Sequence, residues 1–306
     1  MSAPRVLVIY KRTTYQRYRG GKSQRIQALL DQGHRSVESL LEAHEAHLAT
    51  LERTKEVLKQ LGADARFRHG YSPEPDDAWD LVVTLGGDGT LLWASHLVGA
   101  ETPMLAINSA PKTSVGYFCA GDSAQVPELI EAALAGDMRQ TKLNRMQVSV
   151  DGDVVHTRVL NDVLFCHECP AATTRYLLRR GDIEESQMSS GIWAGPAAGS
   201  TAAVRSAGGR VLPIGSQRIQ YVVREPYHRG ETRLQLQKGV LGADEELSFV
   251  SLIREGRLYF DGENRVQSVD IGSEIVFARS PESLFLLGLR GTRRPPSSED
   301  EQPATA

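Results

Sequence analysis

The order of apolar and polar residues divides the chain into three stretches. Val6 to Tyr10 is a compact β-branched run, as expected of a strand buried on both faces. From about residue 22 to 61, Ile26, Leu29, Leu30, Val37, Leu40, Leu41, Leu48, Leu51, Val57, Leu58 and Leu61 recur at helical spacing. Gly62 ends that run, and Gly33 divides it into two expected helices. Strands are predicted at Ala63 to Arg68, Leu81 to Leu85 and Met104 to Ile107, with helical spacing at Leu91, Leu92, Leu97 and Val98. Strands alternating with helices imply a parallel sheet with right-handed crossovers, hence a doubly wound α/β N-terminal domain.

After about residue 140 the period changes. Short alternating segments are predicted as strands at Gln147 to Val150, Val154 to Phe165, Thr173 to Leu178, Ile219 to Val223, Arg233 to Leu236, Leu247 to Ile253 and Arg257 to Phe260. Asp151-Gly152, Glu255-Gly256 and Asp261-Gly262 are turn signals between them. The expectation is a mostly antiparallel β domain, with Glu274 to Ala278 and Leu284 to Leu289 returning to the first domain. We place the α/β phosphate-binding domain at 1–120, rejoined by 277–291, and the β-rich nucleotide-substrate domain at 121–276. The tail 292–306, rich in Pro, Ser and acids, is expected to be disordered.

Composition narrows the function by exclusion. A formal net charge of -3 leaves no global basic field to hold nucleic acid or an acidic membrane surface, so function must be sought at a site. Between Lys11 and Arg25 the chain is locally basic, which suits a phosphate-facing loop or, preferably, a solvated helix start. The three cysteines, Cys119, Cys166 and Cys169, are too sparse for a disulfide framework and fit a reducing compartment. Cys166 and Cys169 form a CxxC with no second pair, better read as reduced thiols on a strand than as zinc or redox chemistry. Residues 1–5 lack the pattern of a signal peptide, and the longest apolar run, Leu284 to Leu289, is far short of a membrane span. The expected location is cytoplasmic.

The most informative segment runs from Leu81 through Gly86, Gly87, Asp88, Gly89 and Thr90. A buried strand empties into glycines and a helix begins at once. The glycines let backbone approach a ligand, and the unpaired N–H groups of the helix's first turn suit a phosphate. A carboxylate among phosphate donors is electrostatically awkward unless it takes a proton from a hydroxyl or helps to hold magnesium. Asp88 as a simple helix N-cap is the structural alternative. No GK[ST] follows, so this is not a Walker loop, and the dinucleotide GxGxxG is absent.

Gly86 to Thr90 resembles the GGDGT signature of NAD kinases and of the diacylglycerol and sphingosine lipid kinases. Leu160-Asn161-Asp162-Val163 resembles the NAD kinase "NE/ND" motif, and residues 199–209 resemble the family's GSTAYSLSAGG loop. Phe260-Asp261-Gly262-Glu263 resembles its late DGQ hairpin. Ser189-Ser190-Gly191, residues 197–203, Gln220 to Pro226 and Asn108-Ser109-Ala110-Pro111 are similar to the plant-type NADH kinases and their bacterial relatives. A NAD kinase/diacylglycerol kinase-like fold is thereby implied.

By position, the resemblance implies Asp88 as the base that deprotonates the ribose 2′-hydroxyl, with Gly86, Gly87, Gly89 and Thr90 around phosphate. It implies Asn108, Asn161, Asp162, Ser200, Thr201, Ala202, Ala203 and Ser206 as residues that bind NAD. Lys112 and Arg205 are candidates for phosphate contacts, against the reading as surface cations. Ser190, Ala203 and Glu263 depart from the family's Asp, Tyr and Gln, which bears on the choice between NAD and NADH. ATP and NAD or NADH are the implied substrates, magnesium arrives with ATP rather than in a protein-only site, and a homo-oligomer (dimer or tetramer) is implied. A lipid kinase and a non-catalytic dinucleotide sensor are the rival readings.

From the residues alone, Asn161 and Asp162 sit in an otherwise apolar strand, where neighbours point to opposite faces. A ligand's hydroxyls, a structural network or solvent would each satisfy them. Gly199-Ser200-Thr201 beside Ala202 and Ala203 leaves room for a sugar or flat ring, or makes a close-packed turn.

Overall fold

The opening β-branched run forms β1 (Arg5–Tyr10), with its four central residues buried. In the computed structural model, which describes residues 2–21, 23–69, 79–227 and 234–289, β1 is flanked in parallel by β2 (Asp64–His69) and β3 (Leu81–Gly86). Beyond β3 lies β4 (Met104–Asn108), also parallel, giving the order β2-β1-β3-β4, with the two-residue β5 (Gly121–Asp122) beside the end of β4.

Local chemistry punctuates the helices. Helix α1 (Thr14–Arg19) opens on a capping box between Thr13 and Gln16, and α2 (Gln24–Asp31) is capped by Ser23. Gly33 and Gly62 take left-handed φ of 58° and 66° on either side of α3 (Arg35–Gln60). After α4 (Asp88–Ser95) comes α5 (Val126–Ala135), with a proline in its first turn and a left-handed Gly136 after it. Leu51, Val57 and Leu58 of α3 and Val126, Leu129 and Ile130 of α5 join Val6, Val8, Val83, Leu105 and Ile107 in one core. Contacts therefore assign Met1–Thr141 with Leu284–Arg290 to a first compact unit, which runs past residue 120 because α5 packs into its core.

The second unit is Lys142–Ser283. It is entered along β6 (Gln140–Val150), which turns at Asp151 and Gly152, both at positive φ, into the antiparallel β7 (Asp153–Val159). There follow β8 (Val163–His167), β9 (Thr174–Arg180), β10 (Ile183–Ser189), β11 (Ile192–Pro196), α6 (Ala203–Ser206), β12 (Ile219–Val223), β13 (Lys238–Leu241), β14 (Leu247–Ser251), β15 (Gly256–Phe260), β16 (Val266–Val269) and β17 (Glu274–Leu287). One antiparallel sheet has the order β13-β12-β11-β8-β15-β16. A second set pairs β10 with β9, β9 with β14 and β14 with β17. Phe165, Tyr176, Phe249 and Phe277 stack edge-on or tilted in the core that both sets share. The two expected segments near the end are one strand, β17, which runs through Pro281. Only the second returns to the first unit, where Leu286 pairs with Met104 of β4. Residues 274–277 pair with β14 in the second unit, so the rejoining begins at Leu284 and not at 277.

Two predicted strands are corrected. The segment 154–165 is two strands, β7 and β8, broken at residues 160–162. At the predicted strand Arg233 to Leu236, Arg233 lies outside the described residues and 234–236 are not strand. There the Glu185 carboxylate accepts the amide protons of Gln235 and Leu236, which a ladder would otherwise need. The expected disordered tail lies outside the described residues. Among the described residues no helix is long and apolar enough to cross a membrane.

Candidate active site

Strands β1 and β3 are neighbours, yet from β1 the chain goes on to β2 at one side and from β3 to β4 at the other. In open α/β sheets the carboxyl ends of strands at such a reversal border the ligand crevice. The Gly86–Thr90 segment stands there. Gly87 is the N-cap of α4, with no side-chain cap bond, and Asp88 is the first helical residue, so the N-cap reading of Asp88 is set aside. A Cβ on Gly86 would run into Thr90 and one on Gly87 into Ser114, whereas nothing lies within 4 Å above Gly89. The loop is closed beneath and open at Gly89.

Asp88 is held from the opposite loop. Its Oδ2 accepts the Tyr117 amide proton at 2.9 Å and its Oδ1 that of Phe118 at 2.8 Å. A carboxylate oxygen has two lone pairs, so each keeps one for another donor. Beside it, burial and then the Asp88 charge push the Cys119 thiol up to about 12, which keeps it protonated. Asn108, buried at the end of β4, braces the holding loop. Its Nδ2 donates to the Ser114 carbonyl at 2.9 Å, its Oδ1 accepts from the Ala110 amide, and Gly116 packs on it at φ 64°. The amide expected to bind NAD is thus turned onto its own loop.

The basic stretch is largely a capped, solvated helix, with Arg19 paired to Asp31 at 2.6 Å. Lys11 differs: half-buried just past β1, its ammonium is held below the usual lysine range by burial and then by Arg17. Lys112 forms an exposed ion pair with Glu42, as a surface cation would.

In the second unit, Asn161 and Asp162 occupy the break between β7 and β8 rather than a strand. The cause is Asp261. Its Oδ2 accepts the Leu160 amide proton at 2.9 Å, and its Oδ1 accepts those of Asn161 at 2.6 Å and Asp162 at 3.0 Å. From another side, Gly195 and Gly199 lie against the Asn161 carbonyl, with no room for a Cβ at either glycine. Among the described residues, the side chains of Asn161 and Asp162 have no hydrogen-bond partner. Asp162 is nevertheless only 5% exposed, and burial, then the charge of Asp261, pushes its carboxyl up to about 7. The Asp261 carboxyl is pushed up to about 6, burial outweighing its three amide donors.

The 197–212 segment is tied down by polar side chains. Ser200 is fully buried, donating to the Ala197 carbonyl at 2.8 Å and accepting from the Leu212 amide at 2.9 Å, so its hydroxyl serves the loop. Gln220 grips both the amide and the carbonyl of Arg210. Thr201, Ala202 and Ala203 are half-buried; Arg205 and Ser206 are exposed. Ser190 and Glu263 are brought together, lining with Trp193, Arg224 and Tyr259 a cavity of about 350 Å³. Cys166, buried on β8, and Cys169, exposed beyond it, border the same cavity as free thiols.

Residues 22–138 match the family model described as the ATP-NAD kinase N-terminal domain. The chain is 34% identical over 251 residues to a probable NADH kinase of Oryza sativa subsp. japonica, covering 75% of this chain and 77% of that one. The chain belongs to the NAD kinase family. An NADH kinase of Arabidopsis thaliana is 32% identical over 218 residues, 64% of this family member and 68% of the relative. The fold is that of solved NAD and NADH kinases. A yeast NADH kinase complexed with NADH superposes with a TM-score of 0.67 at 16% identity, covering 96% of this chain and 85% of that one. An NAD kinase from Archaeoglobus fulgidus in complex with ATP gives 0.64 at 18%, covering 92% of each.

Several site-building groups of this NAD kinase family member escape reading by residue type. The donors that aim Asp88 are backbone amides, which no side-chain pattern announces. Asp261 belongs to a motif but carries no role until its carboxylate is seen on three amides. The signal available for it is an Asp-Gly turn placed directly after a buried strand.

Proposed function

We propose that this enzyme transfers the terminal phosphoryl group of ATP to the 2′-hydroxyl of the adenosine ribose of NAD or NADH, producing NADP or NADPH, with Asp88 as general base. The observation that carries this reading is the Asp88 carboxylate, fixed by two amides at the start of α4 with a lone pair left on each oxygen. A carboxylate so held needs no reorganisation before accepting the hydroxyl proton, and the same contacts orient the attacking oxygen. The open face at Gly89 and the amides of Asp88 and Gly89 receive phosphate oxygens, those of Thr90 and Leu91 being turned to the Gly87 carbonyl. Magnesium would enter on the ATP phosphates and would supply compensation for the charge of in-line transfer, which leaves ADP as the second product.

Asp162 and Asn161 supply dinucleotide contacts: both side chains lack hydrogen-bond partners among the described residues, which leaves them available to a ligand's hydroxyls. Thr201, Ala202, Ala203 and Ser206 line the sugar and ring end, while Asn108 and Ser200 act by bracing. Ser190 and Glu263, facing one cavity, bear on the choice between NAD and NADH. The free thiols fit a cytoplasmic enzyme, and family resemblance favours a homo-oligomer.

The test is to incubate purified protein with ATP, magnesium and either NAD or NADH, and to quantify NADP and NADPH. Product from both or either is expected, and the ratio of kcat/KM ranks the two acceptors. Folded protein giving no product from either would overturn the reading.

A further inference from the structure

We infer that Asp261 is a positioning residue for dinucleotide binding, acting through the 160–162 backbone to present Asn161 and Asp162. This rests on the proposed use of those two side chains. Three consecutive amides converge on one carboxylate, and the Asp261 amide returns a 2.9 Å bond to the Asp162 carbonyl. Consecutive amides pointing to one side are incompatible with a strand, whose N–H groups alternate. The carboxylate therefore makes the break between β7 and β8, and Asn161 and Asp162 owe their exit from the sheet to it.

The clamp has a second jaw. Gly195 and Gly199 press on the Asn161 carbonyl so closely that a side chain at either would overlap it. Asp261 itself sits at φ 50° in the turn after β15, with Gly262 at φ 114° next to it. Hydrogen bonds to a charged acceptor are about twice as strong as neutral ones, so one residue can hold a three-residue bend against the strands on both sides. Neither side chain it presents has a hydrogen-bond partner among the described residues. The Asp162 carboxyl at its tip meets no protein donor among the described residues and is only 5% exposed, so the opening left to it suits a ligand hydroxyl.

The experiment uses full-length Asp261→Asn and Asp261→Ala, with KM for NADH at saturating ATP, KM for ATP at saturating NADH, and kcat. Asn keeps one oxygen for Asn161 and Asp162 but sets an N–H against Leu160. We expect KM for NADH to rise about 10-fold in Asp261→Asn and about 100-fold in Asp261→Ala, as for loss of charge-assisted bonds. KM for ATP should change less than about twofold, because the phosphate loop is untouched. Unchanged KM for NADH in folded Asp261→Asn, or both KM values rising together as thermal stability falls, would overturn the inference. Hydrogen–deuterium exchange reads the clamp without turnover. Amides 160–162 should lose protection in Asp261→Asn while 88–95 keep theirs, and retained protection at 160–162 would also sink it. Wild-type protein that neither binds nor converts NADH would count against the proposed activity instead.

Discussion

Asp88 shows how far a single side chain's role follows from its donors. Two amides bind one lone pair on each oxygen and fix the carboxylate plane, so replacing the group changes chemistry more than structure. Asp88→Asn is expected to lower kcat by ~10²–10⁴-fold with unchanged circular dichroism; near-normal turnover in the folded variant would remove the base role. Asp162 gives a second test at this scale. Its carboxyl ionises near 3.8 when unfolded and near 7 when folded, so between those values the native state holds the extra proton. Stability then falls as pH rises from about 4 to about 7 and levels off above. Thermal unfolding of wild type and Asp162→Asn across that range should show the steeper fall in wild type, and parallel curves would show that the buried carboxyl is not raised.

Among the elements, those with one dominant period were legible and those without were not. The helices between residues 22 and 61 declared themselves because Leu and Val recur at helical spacing, Val37, Leu51, Val57 and Leu58 being buried, and Gly33 and Gly62 stop them. Strand β10 did not: its inward residues are Gln187 and Ser189, buried polar groups that no hydrophobic alternation reveals. Strand β11 is short and ends in Gly195 and Pro196. The candidate site was legible as motifs, yet Asn161 and Asp162 read as strand residues because an aspartate 99 residues beyond Asp162 makes the break. Two glycines separate packing from function. Gly199→Ala would drive a methyl into the Asn161 carbonyl and should lower stability by roughly 1–3 kcal/mol or more, read as a shift of the denaturant midpoint. Gly89→Ala meets nothing within 4 Å and sits in α4, where Ala is favoured over Gly by ~0.5–1 kcal/mol. It should fold at least as stably while its KM for ATP rises; unchanged KM would mean that phosphate does not approach Gly89.

At the scale of the whole molecule, two units with separate cores carry different parts of the proposed chemistry: the phosphate loop in the first, the dinucleotide contacts in the second. Ligands that bind only the native state stabilise it in proportion to occupancy, so thermal unfolding distinguishes the readings without any turnover assay. A dinucleotide present at 100 times its Kd adds ~2.7 kcal/mol, which for a chain of this size displaces the midpoint by several degrees. NADH, and NAD in proportion to its affinity, should therefore raise the unfolding temperature of wild type, and much less that of Asp261→Asn at the same concentration. A GGDGT protein built for lipid would show no shift with dinucleotide and a shift with diacylglycerol micelles. Because the shift depends on binding and not on Asp88, it also separates a dinucleotide sensor from a kinase: the sensor gives the NADH shift with no NADPH formed from ATP.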